Sequence, residues 1–194
     1  MIIRSDTGYK FECIRCDYCC GTGPNVSLTS FDVVRMSRRT GLHWSSFLRY
    51  YTNVIVADLI PVITLAGYGK GRCPFLRFTE KGETYCTIYD ARPLKCRIYP
   101  LHLVSLDTSE LVLDEKCPGV GKDGFKKPPL MLIKQYSLEL KEHYKKLYTR
   151  IIINNEKPLT ALYQVVDELW KNAEHNNPEW ASLEYLKRLE LDHS

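Results

Sequence analysis

Apolar residues change their period partway along the chain. Beyond residue 130, Leu130, Ile133, Tyr136, Leu140, Tyr144, Leu147, Tyr148 and Ile151 recur at three- and four-residue steps, which predicts one long amphipathic helix reaching about Ile153. Leu162, Val165, Val166, Leu169 and Trp170 repeat the pattern over Leu159 to Ala173, and Asn177-Pro178 opens a last helix through Leu191. Lys141, Lys145, Lys146 and Arg150 share a broad face with Tyr144 and Tyr148. Lys and Tyr at this spacing read as a solvated edge beside a core stripe, so nucleic-acid binding is not expected there.

The first 130 residues carry shorter elements. Thr29 or Ser30 can cap a helix of residues 30–40, with Val33, Val34 and Met36 inward and Gly41 as its stop. A second short helix is expected over Trp44 to Tyr51. Ile60 to Leu65 reads as a strand, ended by the turn Gly67-Tyr68-Gly69-Lys70-Gly71, and residues 21–24 read as another turn. Two hairpins follow, one of residues 75–79 and 84–89, the other of residues 101–106 and 110–114. Glycines at 119, 121 and 124 mark residues 119–129 as the expected linker. The fold class expected is α+β: a cysteine-rich unit over 1–124, then a helical extension over 125–194 packing on it.

Composition changes this picture little, since 44% hydrophobic and 26% charged residues are ordinary for a globular chain. Met1-Ile2-Ile3-Arg4-Ser5-Asp6 has no apolar signal core, and no window approaches about 18 apolar residues, so no membrane association and a cytoplasmic setting are expected. The formal charge is +4. Residues 126–157 hold eight Lys/Arg against three Asp/Glu, and residues 158–194 hold three against seven, a distribution that suits mutually attracting helices.

The cysteines change it most. Cys13, Cys16, Cys19 and Cys20 stand within eight residues, followed by Cys73, Cys86, Cys96 and Cys117. A C-x2-C-x2-C run turns three sulfurs inward from one loop, as metal and iron–sulfur sites require, and suits disulfides poorly. Reduced thiols in a cytoplasmic setting point the same way. All eight are candidate metal ligands. Cys13, Cys16 and Cys19 match a ferredoxin-like triple that either Cys73-Pro74 or Cys117-Pro118 can complete. Cys20, Cys86, Cys96 and the remaining Cys-Pro then form a second set, with neighbouring Cys19 and Cys20 tending to diverge toward different sites, one shared site being the alternative. Eight thiolates on two dications, or on two clusters of core charge +2, bring the formal charge to zero. Arg92 and Arg97 bracket Cys96 and are the candidates to offset the anionic centre.

Cys13 to Cys20, Cys73-Pro74-Phe75-Leu76, the stretch from Cys86 to Pro100 and Cys117-Pro118-Gly119 together resemble the CxxCxxCC family of zinc- or iron-chelating proteins, the YkgJ-like cysteine cluster proteins. The resemblance spans residues 11–121, and the later helices inherit nothing from it. One relative, the flagellin lysine N-methylase, implies an S-adenosylmethionine-dependent protein lysine methylase-like enzyme as one alternative, although neither a C-x3-C-x2-C run nor a nucleotide-binding glycine loop is present. Two further functions compete. One is an iron–sulfur protein with one or two [4Fe–4S] centres, serving electron transfer or an unidentified reaction. The other is a protein with structural zinc that binds a protein partner through its C-terminal helices. His102 is the one histidine near the cysteine region, and a structural role is expected for it.

Overall fold

Residues 1–21, 26–69 and 71–191 are described in the computed structural model, and they form an α+β fold of small antiparallel sheets and seven α-helices. Residues 22–24 of the first expected turn and Lys70 of the second lie outside the described residues. Strands β1 (Ile2–Arg4) and β2 (Tyr9–Phe11) precede a single helical turn, α1 (Tyr18–Gly21). β3 (Ser27–Leu28) leads into α2 (Ser30–Thr40) and α3 (Trp44–Tyr51), followed by β4 (Thr52–Ala57) and β5 (Ile60–Leu65). The hairpin β6 (Leu76–Phe78) and β7 (Thr84–Cys86) comes next, then the short α4 (Leu94–Ile98). β8 (Leu101–Leu103) and β9 (Glu110–Leu113) pair with each other, and β1 adds to β9.

Several elements form as their sequence dictates. Thr29 caps α2 through a box in which its side chain accepts from the Asp32 N–H and the Asp32 carboxylate accepts from the Thr29 N–H, both at 3.1 Å. Gly41 closes the helix at φ 69°, a left-handed conformation that glycine adopts at no steric cost. Across the loop that follows β5, Tyr68 and Arg72 exchange backbone hydrogen bonds at 2.8 and 2.9 Å.

Two expectations are corrected. Residues 120–126 are not a linker but strand β10 (Val120–Lys126), paired with β2. Gly119 and Gly124 serve close packing, because a Cβ on Gly124 would meet the Phe11 carbonyl oxygen at 2.9 Å and one on Gly119 the Glu12 carbonyl oxygen at 2.3 Å, whereas Gly121 supplies a left-handed φ of 84° in open space. On α5 (Leu130–Tyr148), continued by a π-helical turn Thr149–Ile153, Tyr136 and Leu147 are buried while Tyr144 and Tyr148 face solvent. The tyrosines at 144 and 148 sit on the flank of the stripe, beyond the reach of the core.

The apolar residues settle into two cores. The first gathers α2, α3, β5, Phe75 and Ile88 with Leu147 and Ile151, and with α6 (Pro158–His175). The second gathers β1, β2, β8, β9 and α4 with the start of α5 and with Leu186 and Leu189 of α7 (Leu183–Leu191). α5 thus crosses from one core to the other. The cysteines lie along the seam: Cys73 and Cys86 pack against the first core, and Cys117 belongs to the second. Arg150 in the π-helical turn pairs with Glu156 and with Glu168 of α6, an attraction of the kind the charge distribution predicts. Among the described residues no helix is long and apolar enough to cross a membrane.

Candidate metal centre

Cys13 and Cys16 lie on the irregular segment between β2 and α1, exposed and half-buried respectively. That segment is tied down at both ends. The Glu12 N–H donates to the Gly119 carbonyl at 3.0 Å, while Thr84 donates its N–H and hydroxyl to Arg15 O at 3.1 and 2.8 Å, and its hydroxyl to Cys16 O at 2.9 Å. These bonds hold Arg15 at φ 51°, in a region costly for a side-chain-bearing residue. Gly119, the last residue of Cys117-Pro118-Gly119, is needed because the Glu12 backbone passes where a Cβ would stand.

Cys19 and Cys20 occupy α1 with their Sγ atoms 3.6 Å apart, so they meet rather than diverge. In one helical turn neighbouring side chains splay by only about 100°, which leaves their sulfurs free to swing together. The Cys73 N–H donates to the Cys20 carbonyl at 2.7 Å, joining the two segments directly. Cys86 ends β7 opposite Leu76. Cys96 sits at the middle of α4, where the Leu94 N–H donates to Asp32 Oδ1 at 3.2 Å and Leu94 and Ile98 anchor the second core.

Electrostatics show which thiols share a neighbourhood. The Cys96 thiol is pushed up by burial and then by Cys73, Cys19 and Cys86. Cys73 is raised by burial, with Cys86 and Cys19 adding to it, and Cys86 is raised by burial against the pull of Arg92. The Cys20 thiol, hydrogen-bonded to Cys19, is pushed up by that bond, by burial and by Cys19, Cys73 and Cys96. Cys19 is lowered to about 7, chiefly by its bond from Cys20, and Arg92 adds to this. Cys19, Cys20, Cys73, Cys86 and Cys96 thus share one electrostatic neighbourhood, in which four thiols are held up and Cys19 is held down, the kind of setting in which a bound cation would replace protons. Cys117 stands apart from these five in its contacts. It is hydrogen-bonded to Tyr99, whose hydroxyl donates to Asp114 Oδ2 at 3.0 Å. His102 packs edge-on against Tyr99 at 5.8 Å, and burial lowers its pKa.

Among the described residues, no three or more Cys, His, Asp or Glu side chains stand in a closed ligating shell. The fit of a metal is therefore judged from the chemistry around the thiols. Arg92 lies between them and the C-terminal helix, its guanidinium 3.8 Å from the Tyr89 ring centre and its Nη2 bonded to Glu190 Oε1. Its Nε and Nη1 are buried without a hydrogen-bond partner. Two orphaned donors on a cation whose charge reaches Cys19 and Cys86 suit an anionic metal–thiolate group, which accepts N–H bonds at sulfur. Arg97 is buried with Nη1 on Glu190 Oε2 at 2.7 Å, Nε on the Arg92 carbonyl at 3.2 Å, and Nη2 on the Asp90 carbonyl. All three of its nitrogens are thus held by protein oxygens, so Arg97 supports the loop, and of the two arginines it is Arg92 that keeps donors without a partner among the described residues.

Beneath α4 lies a polar group that the sequence did not reveal. Arg35 reaches both Glu139 oxygens at 2.7 Å, Asp32 Oδ1 at 2.8 Å and the Trp180 carbonyl at 2.9 Å. Burial works against the Arg35 charge, yet Glu139 and Asp32 outweigh it and raise its pKa, whereas burial raises that of Glu139. Asp32 and Arg35 at i and i+3 within the apolar face of α2 were the available sign. Glu139 and Glu190, each between two leucines, carried none.

Residues 12–118 match the model of the CxxCxxCC family, described as a putative zinc- or iron-chelating domain. No curated protein matches the chain, and no solved structure does.

Proposed function

Because the chain belongs to the CxxCxxCC family of zinc- or iron-chelating domains, we propose that its metal is iron in one or two [4Fe–4S] clusters, one of them held by Cys20, Cys73, Cys86 and Cys96. Metal chelation itself follows from the family; the choice of iron rests on the ferredoxin-like Cys13, Cys16, Cys19 spacing and the two Cys-Pro pairs. What supports the assignment of ligands is the backbone bond that joins Cys73 to Cys20, the pairing of Leu76 with Cys86 across the hairpin, and the nearness of Cys73 and Cys86 to Cys96, beside Arg92 donors that have no partner among the described residues. Cys13, Cys16 and Cys117 are left for a second set, the bond between Glu12 and Gly119 joining their segments, and Cys19 stands between the sets with its Sγ 3.6 Å from that of Cys20. Such a cluster supplies one-electron transfer. The chain supplies the thiolates, the Arg92 charge that offsets them, and two apolar cores that keep water from the buried side.

Zinc is the second reading, and one observation favours it. With Zn–S bonds of about 2.3 Å, tetrahedral geometry places sulfurs roughly 3.8 Å apart, close to the 3.6 Å between Cys19 and Cys20. A zinc centre would be structural, and function would then lie in a partner bound by the C-terminal helices. Iron, zinc and acid-labile sulfide assays with a visible spectrum, on protein purified without oxygen, separate the two. About four or eight irons with equal sulfide and absorption near 400 nm, the usual expectation for such clusters, support the cluster. One or two zinc ions without sulfide overturn it in favour of zinc, and a chain with neither metal overturns both.

A further inference from the structure

The cysteine centre and the last helix meet at one carboxylate. Leu186 and Leu189 of α7 are buried in the second core with Leu94 and Ile98 of α4, and this packing fixes where Glu190 stands. Its two oxygens divide between two arginines: Oε2 accepts from Arg97 Nη1 at 2.7 Å and Oε1 from Arg92 Nη2. Arg97 has further carbonyl partners that hold it without Glu190. Among the described residues the Arg92 side chain has no other hydrogen bond, and its guanidinium lies 3.8 Å from the Tyr89 ring centre. Two arginines and one carboxylate leave a net charge of +1 beside a centre that four thiolates on a +2 core make anionic.

We propose that Glu190 is a positioning residue for the metal centre, holding Arg92 so that one positive charge and the free Nε and Nη1 donors serve the cysteine sulfurs. This rests on the metal–thiolate reading above and extends it to a residue outside the matched region. A merely neutralising role for Glu190 predicts the opposite result, since its removal would then leave more positive charge at the centre and tighten the metal.

The test compares Arg92→Lys, Glu190→Gln, the double variant and the control Glu184→Gln, which lies exposed on the same helix. Each is purified with its metal, and two quantities are read: the rate of metal loss to excess chelator and the position of the sulfur-to-metal charge-transfer absorption. Loss should be about tenfold faster in either single variant, within the usual effect of removing a group that orients metal ligands. The double should be no faster than Arg92→Lys, and the absorption should move the same way in all three while the control stays at wild type. Additive acceleration in the double, or wild-type loss and absorption in Glu190→Gln, overturns the role. If Glu190→Gln does not fold, Glu190→Asp withdraws the carboxylate and is read by the same criteria. Wild-type metal content is measured first, so a metal-free wild-type chain overturns the underlying reading without being mistaken for failure of Glu190.

Discussion

Glu139→Ala is the sharpest test of how the cysteine helix is supported. The substitution removes both 2.7 Å contacts to Arg35 and leaves a guanidinium whose side chain is 1% exposed. Breaking a buried ion pair by deleting one partner costs about 3–5 kcal/mol, much of it from the charge left behind. Here Asp32 at 2.8 Å and the Trp180 carbonyl at 2.9 Å still hold Arg35, which places the loss near the lower end, about 3 kcal/mol. For a chain of this size that is roughly a 6–12 °C fall in Tm. The assay is equilibrium urea unfolding with thermal melting of metal-loaded protein. Arg35→Met combined with Glu139→Leu should recover only part of the loss, because the guanidinium is gone but the buried Asp32 carboxylate gives up its 2.8 Å ion pair and keeps its bonds from Thr29 and Leu94. A Glu139→Ala protein within about 0.5 kcal/mol of wild type, the range of an ordinary surface substitution, would refute it.

Three further outcomes are expected. His143 Nδ1 is bonded by the Ser30 hydroxyl at 2.9 Å and N–H at 3.3 Å, and burial lowers its pKa to about 4. The unfolded chain binds this proton first as pH falls, so stability present at pH 7 drops by about 2 kcal/mol by pH 5, and urea midpoints of His143→Leu should lack that component. Thr29→Ala removes the cap of α2 and should cost about 1 kcal/mol, read from the same unfolding curves; no change would mean that Asp32 alone holds the helix start. Gly119→Ala drives a methyl against the Glu12 carbonyl oxygen, which a Cβ would meet at 2.3 Å. It should cost about 1–3 kcal/mol as an overpacking change and speed metal loss to a chelator, and wild-type behaviour in both would contradict the close approach.

Where local chemistry decides the structure, the sequence was legible. The capping box at Thr29, the stop at Gly41 and the strand Ile60–Leu65 depend on a few adjacent residues, and they stand where expected. β1 and β2 are three residues each and pair with partners more than 100 positions away, with no turn between to announce them. Gly119 and Gly124 looked like flexibility because sequence cannot tell freedom of the backbone from lack of room for a Cβ. At the site, the chelating-family motif was legible, and which thiols stand together was not. Cys19 and Cys20 share a neighbourhood because a helical turn forms there, and Cys73 joins them through one backbone bond. Glu190 could not be read at all, since its place depends on α7 packing beside α4.

The central claim is that Cys96 belongs to a metal–thiolate centre with Cys20, Cys73 and Cys86. Metal bound per chain, measured side by side in wild type and Cys96→Ser purified without oxygen, tests it most directly. Metal is expected in the wild type, with one full centre's content lost in Cys96→Ser; equal content in the two proteins would place Cys96 outside the centre.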